Sequence, residues 1–413
     1  MMKIIDRLLT TAGFVTLSAC GGTAPMAATP EPIAPVASSP SPPPAASPSE
    51  EPAPPAPTEA APAEEGPSPS DKRDNFKAAP KEPPAGEAVP KEKKKGSLGG
   101  NTFGFPGVRP VLAQPAAQQL RLHFLDVGQG DSTLIECPGG ERILVDGGSG
   151  IAASASPEGA RDHLRGVLGN SMSIDMVVVS HPDRDHYNAL PYLLEGVQVG
   201  HVQVVGAAGE YSGSFVTWLA AIPSSRKTRI TAESHDPLDT PNATMDCGPA
   251  TVHVLSVSAR GTPDNSPKNS LSMTLMVSYR DFDAILTADA TFVTEKKILG
   301  RYPSWWLDAE LLKIGHHGSS TTSTSPDWVT ATAPDIAVVS SGFDNSHGHP
   351  RQTVVAAVAT KTGTAAAHAF RWYRSQTQPE EVADYKEAIY GTGTSGTIVV
   401  GSNGSDYWVE QER

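Results

Sequence analysis

An α/β fold built on mixed sheet is predicted by three features. Apolar and β-branched runs have the length of strands, glycine-rich turns separate them, and a helix-like segment precedes a further strand. The first runs, 121–126, 132–136 and 142–146, read as short strands with Gly-rich turns between them. Residues 157–168 read as a helix, and the strand-like 176–180 follows. The run 251–257 alternates as a strand does. Residues 271–279 and 284–287 flank 280–283 as a hairpin, and 336–340 follows a Pro-marked loop. No internal repeat is evident.

Composition divides the chain. Of 413 residues, 38 are proline, and more than half of these fall between positions 21 and 90. Repeated Pro, Ala, Ser and Glu remove backbone donors and offer few large apolar groups, so an extended linker is expected over 20–116. The remaining segment, 117–413, is ample for one α/β core. At the start, Lys3 and Arg7 precede an apolar segment over 8–17, too short for a comfortable membrane span but suited to a secretory signal over 1–19. The tetrapeptide LSAC at 17–20 resembles a bacterial lipobox, so Cys20 is expected to be lipidated and to tether an exported protein to a membrane. Gly21 carries no inner-membrane retention signal of the Asp type, which favours the outer membrane.

Three distant stretches carry the chemistry: HPDRDH at 181–186, LTAD at 286–289 and KIGHHGS at 313–319. Each follows an apolar or β-branched run, so strand ends would present carboxylates and imidazoles at one sheet edge. His181, Asp183, Asp185 and His186 crowd into six residues, and Pro182 opposes continuation of the preceding strand. Nitrogen and hard oxygen donors together suit zinc, manganese or iron better than calcium. The chain reads as a metal-dependent hydrolase.

These blocks, with FLDVGQGDSTLI at 124–135, ILVDGG at 143–148, NSLS at 269–272 and SSGFDNSHGHP at 340–350, resemble the metallo-β-lactamase superfamily. The likeness is to the hydrolase domain of ComEC-type competence proteins, over about 120–409. The resemblance implies a four-layer αββα sandwich and two divalent metal ions, zinc or manganese. His181 and Asp183 would serve one ion, Asp185, His186 and His316 the other, and Asp289 would bridge them. Asp146 and Asn269 would support the ligands from behind. Asp185, Lys313, His317, Asn345 and His349 would form the catalytic group around the substrate. Asp183 stands where the wider superfamily has His, which is itself ComEC-like. One departure is larger: the third motif normally supplies a His about twenty residues before the bridging Asp, and here that position is Asn269. One metal position is therefore expected to be weak. His253 is expected to be a packed strand residue, and neither it nor His235 is assigned to the site.

The expected substrate is a phosphoester, DNA included, hydrolysed by metal-activated water. Alternatives are a small envelope phosphoester or β-lactam, or a tethered binding module without turnover. From residue 117 onward there are 21 Lys and Arg against 33 Asp and Glu, a net charge of −12, whereas non-specific polynucleotide binding wants a basic track. The membrane is expected as a partner through the lipid anchor alone, and no obligate protein partner is evident. Cys137 and Cys247 leave a bridge and two free thiols equally open.

Overall fold

The computed structural model describes residues 102–103, 118–149, 157–230, 243–257 and 266–413. The expected signal segment 1–19, Cys20, His235 and the expected linker, residues 102–103 apart, lie outside the described residues. Thr102–Phe103, inside the segment expected to be linker, forms a short strand, β1.

The strands β2 (Leu120–Phe124), β3 (Thr133–Glu136), β4 (Arg142–Val145), β5 (Ser173–Val179), β6 (Gln198–Val205) and β7 (Lys227–Ile230) open one sheet. A second contains β8 (Ala243–Cys247), β9 (Ala250–Ser256), β10 (Thr274–Tyr279), β11 (Phe282–Leu286), β12 (Leu311–Lys313) and β13 (Ile336–Val339). The strands β14 (Thr364–Ser375) and β15 (Gln378–Glu387) pair as a separate ribbon. Then β16 (Ile389–Gly391) joins the second sheet, and β17 (Ile398–Ser402) with β18 (Tyr407–Gln411) returns to the first. The strand orders are β18-β17-β2-β3-β4-β5-β6-β7 and β1-β8-β9-β10-β11-β12-β13-β16. Both are mixed. In the first, hairpin-linked β2, β3 and β4 are antiparallel and β4 to β7 run parallel; in the second, β8 to β11 are antiparallel and β11, β12, β13 and β16 are parallel.

Alternation along each strand explains the layers. Leu122, Ile143, Met176 and Val178 of the first sheet share one core with Val252, Val254, Leu275 and Leu286 of the second, so the two sheets pack face to face. The intervening residues, Leu144, Val177 and Val179, point outward beneath α1 (Pro157–Leu168), α2 (Arg184–Tyr187), α3 (Leu190–Leu193) and α4 (Ser214–Ala221). On the far side Leu255, Met276, Ile285 and Leu312 are covered by α5 (Phe292–Arg301), α6 (Ser304–Leu307) and α7 (Pro326–Thr332). The last helices, α8 (Gln352–Ala359) and α9 (Thr392–Ser395), pack near the ribbon. This is the αββα order that the resemblance implies. His253 is buried on β9 with its ring edge-on to Trp306, as a packed strand residue.

Cys137 follows β3, Cys247 closes β8, and the two are joined by a disulfide with their Cα atoms 5.2 Å apart. The bridge fastens one sheet to the other. Among the described residues no helix is long and apolar enough to cross a membrane.

Candidate metal centre

Four loops, two from each sheet, build the centre. The chain leaves β4 at Asp146, leaves β5 at Ser180, leaves β11 at Thr287 and leaves β12 at Ile314, each directly into a segment that carries polar side chains. Asp146 locks the first two together: Oδ1 accepts the Ser180 N–H at 2.7 Å, and Oδ2 accepts Ser180 Oγ–H at 2.7 Å and His186 Nδ1–H at 2.8 Å. The backbone adds Gly147 N–H to His186 O at 2.8 Å and Asp131 N–H to Asp185 O at 2.9 Å. Gly148 is required here, because a Cβ at this position would lie 1.9 Å from the Asp185 carbonyl carbon.

The hydrogen bonds on the Nδ1 side of each imidazole fix which nitrogen faces inward. Ser180 Oγ, having given its proton to Asp146, accepts from His181 Nδ1 at 3.0 Å. His317 Nδ1 donates to Ser340 O at 2.7 Å. Thr322 Oγ1 donates to Ser319 Oγ at 2.9 Å and accepts from His316 Nδ1 at 2.6 Å. With His186 held by Asp146, four Nε2 lone pairs turn toward one carboxylate. Asp289 Oδ1 lies 3.2 Å from His186 Nε2 and 3.7 Å from His317 Nε2; its Oδ2 lies 3.5 Å from His316 Nε2 and 3.8 Å from His181 Nε2. Asp185 Oδ2 adds a further oxygen 3.3 Å from His317 Nε2.

Acceptors facing acceptors at this range need positive charge between them, and two ligands bound at about 2.0–2.2 Å to one ion stand at comparable separations. Nε2 of His181, His186 and His317 and Oδ1 of Asp289 are buried and make no hydrogen bond. His181, His186 and Asp289 converge closely enough to hold an ion, as do Asp185, His186 and His317, and Asp131, Asp289 and His317. The donors therefore fit divalent transition metals.

Electrostatics agree. Burial opposes charge on Asp289, but His316, His186 and His317 outweigh it and hold this carboxyl well below its usual range. Burial likewise works against protonation of His186 and His317, yet Asp289 with Asp146 raises His186 well above normal, and Asp289 with Asp185 raises His317 to about 8. His181 goes the other way, to about 3, through burial and the neighbouring His186.

Several expected roles change. His317, expected beside the substrate, is buried among Asp185, His186 and Asp289, because its left-handed backbone (φ 53°) and Ser340 turn the ring inward. His316 faces the opposite oxygen of Asp289 from the Asp185–His186 pair to which sequence assigned it. Lys313 is not a free cation for an oxyanion: buried, its Nζ lies 2.5 Å from Asp131 Oδ2. Asn345 spends its amide on its own loop, donating to Gly342 O and His349 O and accepting the His349 N–H, so it shapes residues 342–349. Replacing Asn345 by Ala should cost about 1–3 kcal/mol by stranding the partners it satisfies, read as a lower urea midpoint, with little change in metal content. Asp183 sits at the rim, its Oδ1 paired with Lys268 at 3.0 Å and its Oδ2 3.8 Å from His181 Nε2. Asn269 lies beside His316, its Nδ2 3.3 Å from His316 Nδ1. His349 stands edge-on to His316 with ring centroids 6.0 Å apart, and burial with the nearby His317 and His316 lowers it to about 3.

Asp131 was missed. Its carboxylate is buried against Lys313, and burial is outweighed by Lys313, His186 and His317, which keep it ionised. The signal lay in DVGQGDS, a Gly-rich turn leaving a strand at the same edge.

Residues 125–262 match the family described as the Metallo-beta-lactamase superfamily. Over that stretch the chain is similar to this superfamily. It is similar to ComE operon protein 3 of Bacillus subtilis (strain 168), at 28% identity over 56% of this chain and 30% of that protein. Competence protein ComA of Neisseria gonorrhoeae is 28% identical over 61% of this chain and 31% of its own length. Recombination protein 2 of Haemophilus influenzae is 25% identical over 70% and 29% respectively. This chain matches only about three tenths of the length of each of these relatives.

Proposed function

We propose that the metallo-β-lactamase domain is a metal-dependent phosphodiesterase or nuclease, tethered in the bacterial envelope. The observation that carries this reading is the set of four inward Nε2 atoms around Asp289, completed by Asp185. Two zinc or manganese ions held there would polarise the scissile group and lower the pKa of bound water. The protein's own part is to hold these donors in one tautomer. Asp146, Ser180, Ser340 and Thr322 do this for His186, His181, His317 and His316 in turn. His349 stands edge-on to His316, ring centroids 6.0 Å apart, where its neutral imidazole can hydrogen-bond a bound substrate.

The competence and recombination names of the relatives support DNA as the natural polymer. The domain's net charge of −12 opposes it. Lys313 gives no help, since Asp131 neutralises it. Attraction of a polyanion must then come from the metals. Bis-p-nitrophenyl phosphate should be hydrolysed with a shallow salt response. Single-stranded DNA should be cut more weakly, its cleavage improving with moderate salt, as screening relieves repulsion, before falling. Rapid β-lactam hydrolysis with no phosphodiesterase activity would overturn the assignment.

The tether rests on LSAC, and the Cys137–Cys247 bridge fits an oxidising compartment. In its host the protein should partition into detergent with acyl mass on Cys20, and Cys20→Ser should abolish both. An unmodified, fully soluble wild type would remove the lipoprotein reading.

A further inference from the structure

We infer that the tip of the β14–β15 ribbon is a positioning element for the centre: Tyr373 and Gln376 hold the loop 341–350 so that His349 meets the substrate. The inference rests on the phosphodiesterase reading above, in which His349 hydrogen-bonds a bound substrate.

The loop leaves β13 through Ser340, whose carbonyl fixes His317, and ends at Pro350 ahead of α8. Asn345 closes residues 342–349 on themselves, through Gly342 O, His349 O and the His349 N–H. Those bonds set the loop's shape and not its place. At its two ends, Gly342 N–H donates to Gln129 Oε1 at 3.2 Å and Arg351 N–H donates to Gly318 O at 2.9 Å.

Between the ends the ribbon supplies the partners. Tyr373 Oη donates to Phe343 O at 2.9 Å and Tyr373 N–H donates to Pro350 O at 2.8 Å, so one residue of β14 grips both limbs of the loop. Gln376, in the turn between the two strands, donates from Nε2 to Ser346 O at 2.8 Å. The backbones close up beside it: Gly348 (φ 66°) has no room for a side chain, since a Cβ there would lie 2.5 Å from Gln376 Cα. Arg371, two residues before Tyr373 and so on the same face of the strand, donates to Asp344 Oδ1 at 2.8 Å and lays its guanidinium 4.1 Å over the Phe343 ring.

A clamp fixes position only if it is fixed itself. Phe370 of β14 is buried in one cluster with Ile314, which leads into the His316 segment, with Val339, which leads into Ser340, and with Val354 and Val355 of α8. Tyr385 of β15 stacks on Phe370 with centroids 5.0 Å apart, and Glu380 accepts from Trp372 Nε1 and from Arg374 across the ribbon. The ribbon's base therefore shares a core with the strands that deliver His316 and His317, while its tip holds the loop that delivers His349. Among the described residues, the converging donor groups include none from the ribbon, so metal content is the control.

Kinetics of the purified full chain on bis-p-nitrophenyl phosphate, with elemental analysis, test this. Tyr373→Phe with Gln376→Ala removes two side-chain bonds and keeps the buried ring. It should lower kcat/KM roughly tenfold, as two hydrogen bonds of ordinary strength allow, with metal content unchanged. In a His349→Ala background the same pair of changes should cost nothing further, because a positioning residue acts only through the imidazole it places; a merely structural role would give the same loss in both backgrounds. Equal losses in the two backgrounds, an unchanged kcat/KM with His349 present, or loss of metal would overturn the inference. The His349 ring-proton resonance, assigned by its disappearance in His349→Ala, gives a readout that needs no turnover. It should shift or broaden in Tyr373→Phe with Gln376→Ala, and an unchanged resonance would also overturn the inference. A wild type that hydrolyses no phosphodiester would instead remove the phosphodiesterase reading, leaving the resonance to decide whether the ribbon places His349.

Discussion

Asp289→Ala should reduce metal affinity by at least about a hundredfold and phosphodiesterase turnover by roughly a thousandfold. Among the described residues, Asp289 is the carboxylate that faces all four imidazoles. Its two oxygens lie within 3.2–3.8 Å of Nε2 on His181, His186, His316 and His317, so its removal takes away the carboxylate toward which all four imidazoles turn. The loss should appear in elemental analysis as well as in rate, with the circular dichroism spectrum unchanged, because the loops are held by Asp146, Ser340 and Thr322 and not by Asp289. Full metal content and full turnover in this variant would show that the convergence of donors has no catalytic meaning.

Breaking the disulfide should have the largest effect on stability. Cys137 and Cys247 are 110 residues apart, and a cross-link closing a loop of that size restricts the unfolded chain by about 4–5 kcal/mol in the chain-entropy model, with about 2–4 kcal/mol the usual measured range. The bridge also joins the two sheets whose inner faces share one core. Cys137→Ser with Cys247→Ser, or reduction of the wild type, should therefore lower the urea midpoint by an amount in this range. An unchanged midpoint would mean that sheet packing alone sets stability.

Much of the fold was legible because strand alternation is a local signal. The segment 142–146 corresponds to β4 (Arg142–Val145), 132–136 to β3, and 157–168 coincides with α1. The hairpin was placed correctly, although its turn is tighter than 280–283 because Arg280 adopts a left-handed conformation (φ 57°) and β11 begins at Phe282. The stacking of two sheets came from the resemblance, since periodicity does not say which sheet a buried face meets.

At the site, residue types were legible and pairings were not. His181, Asp185, His186 and Asp289 announce themselves as metal-binding types at strand ends. Lys313 looks like an available cation until its partner is known, and that partner, Asp131, is 182 residues earlier in the chain. Asn345 looks like a free amide until its three bonds to residues 342 and 349 are seen. The order of His316 and His317 depends on two left-handed residues in succession, which neither glycine content nor hydropathy reveals. The disulfide was undecidable for the same reason: proximity across 110 residues is a property of the fold.

The central claim, a phosphodiesterase that works through metal held by this donor set, is tested most directly by stripping the purified protein with a chelator. Zinc or manganese is then titrated back while hydrolysis of bis-p-nitrophenyl phosphate is followed. Turnover should vanish with the metal and return as the ions bind. A stripped protein that keeps its full rate, or a fully metallated one that hydrolyses no phosphodiester, would contradict it.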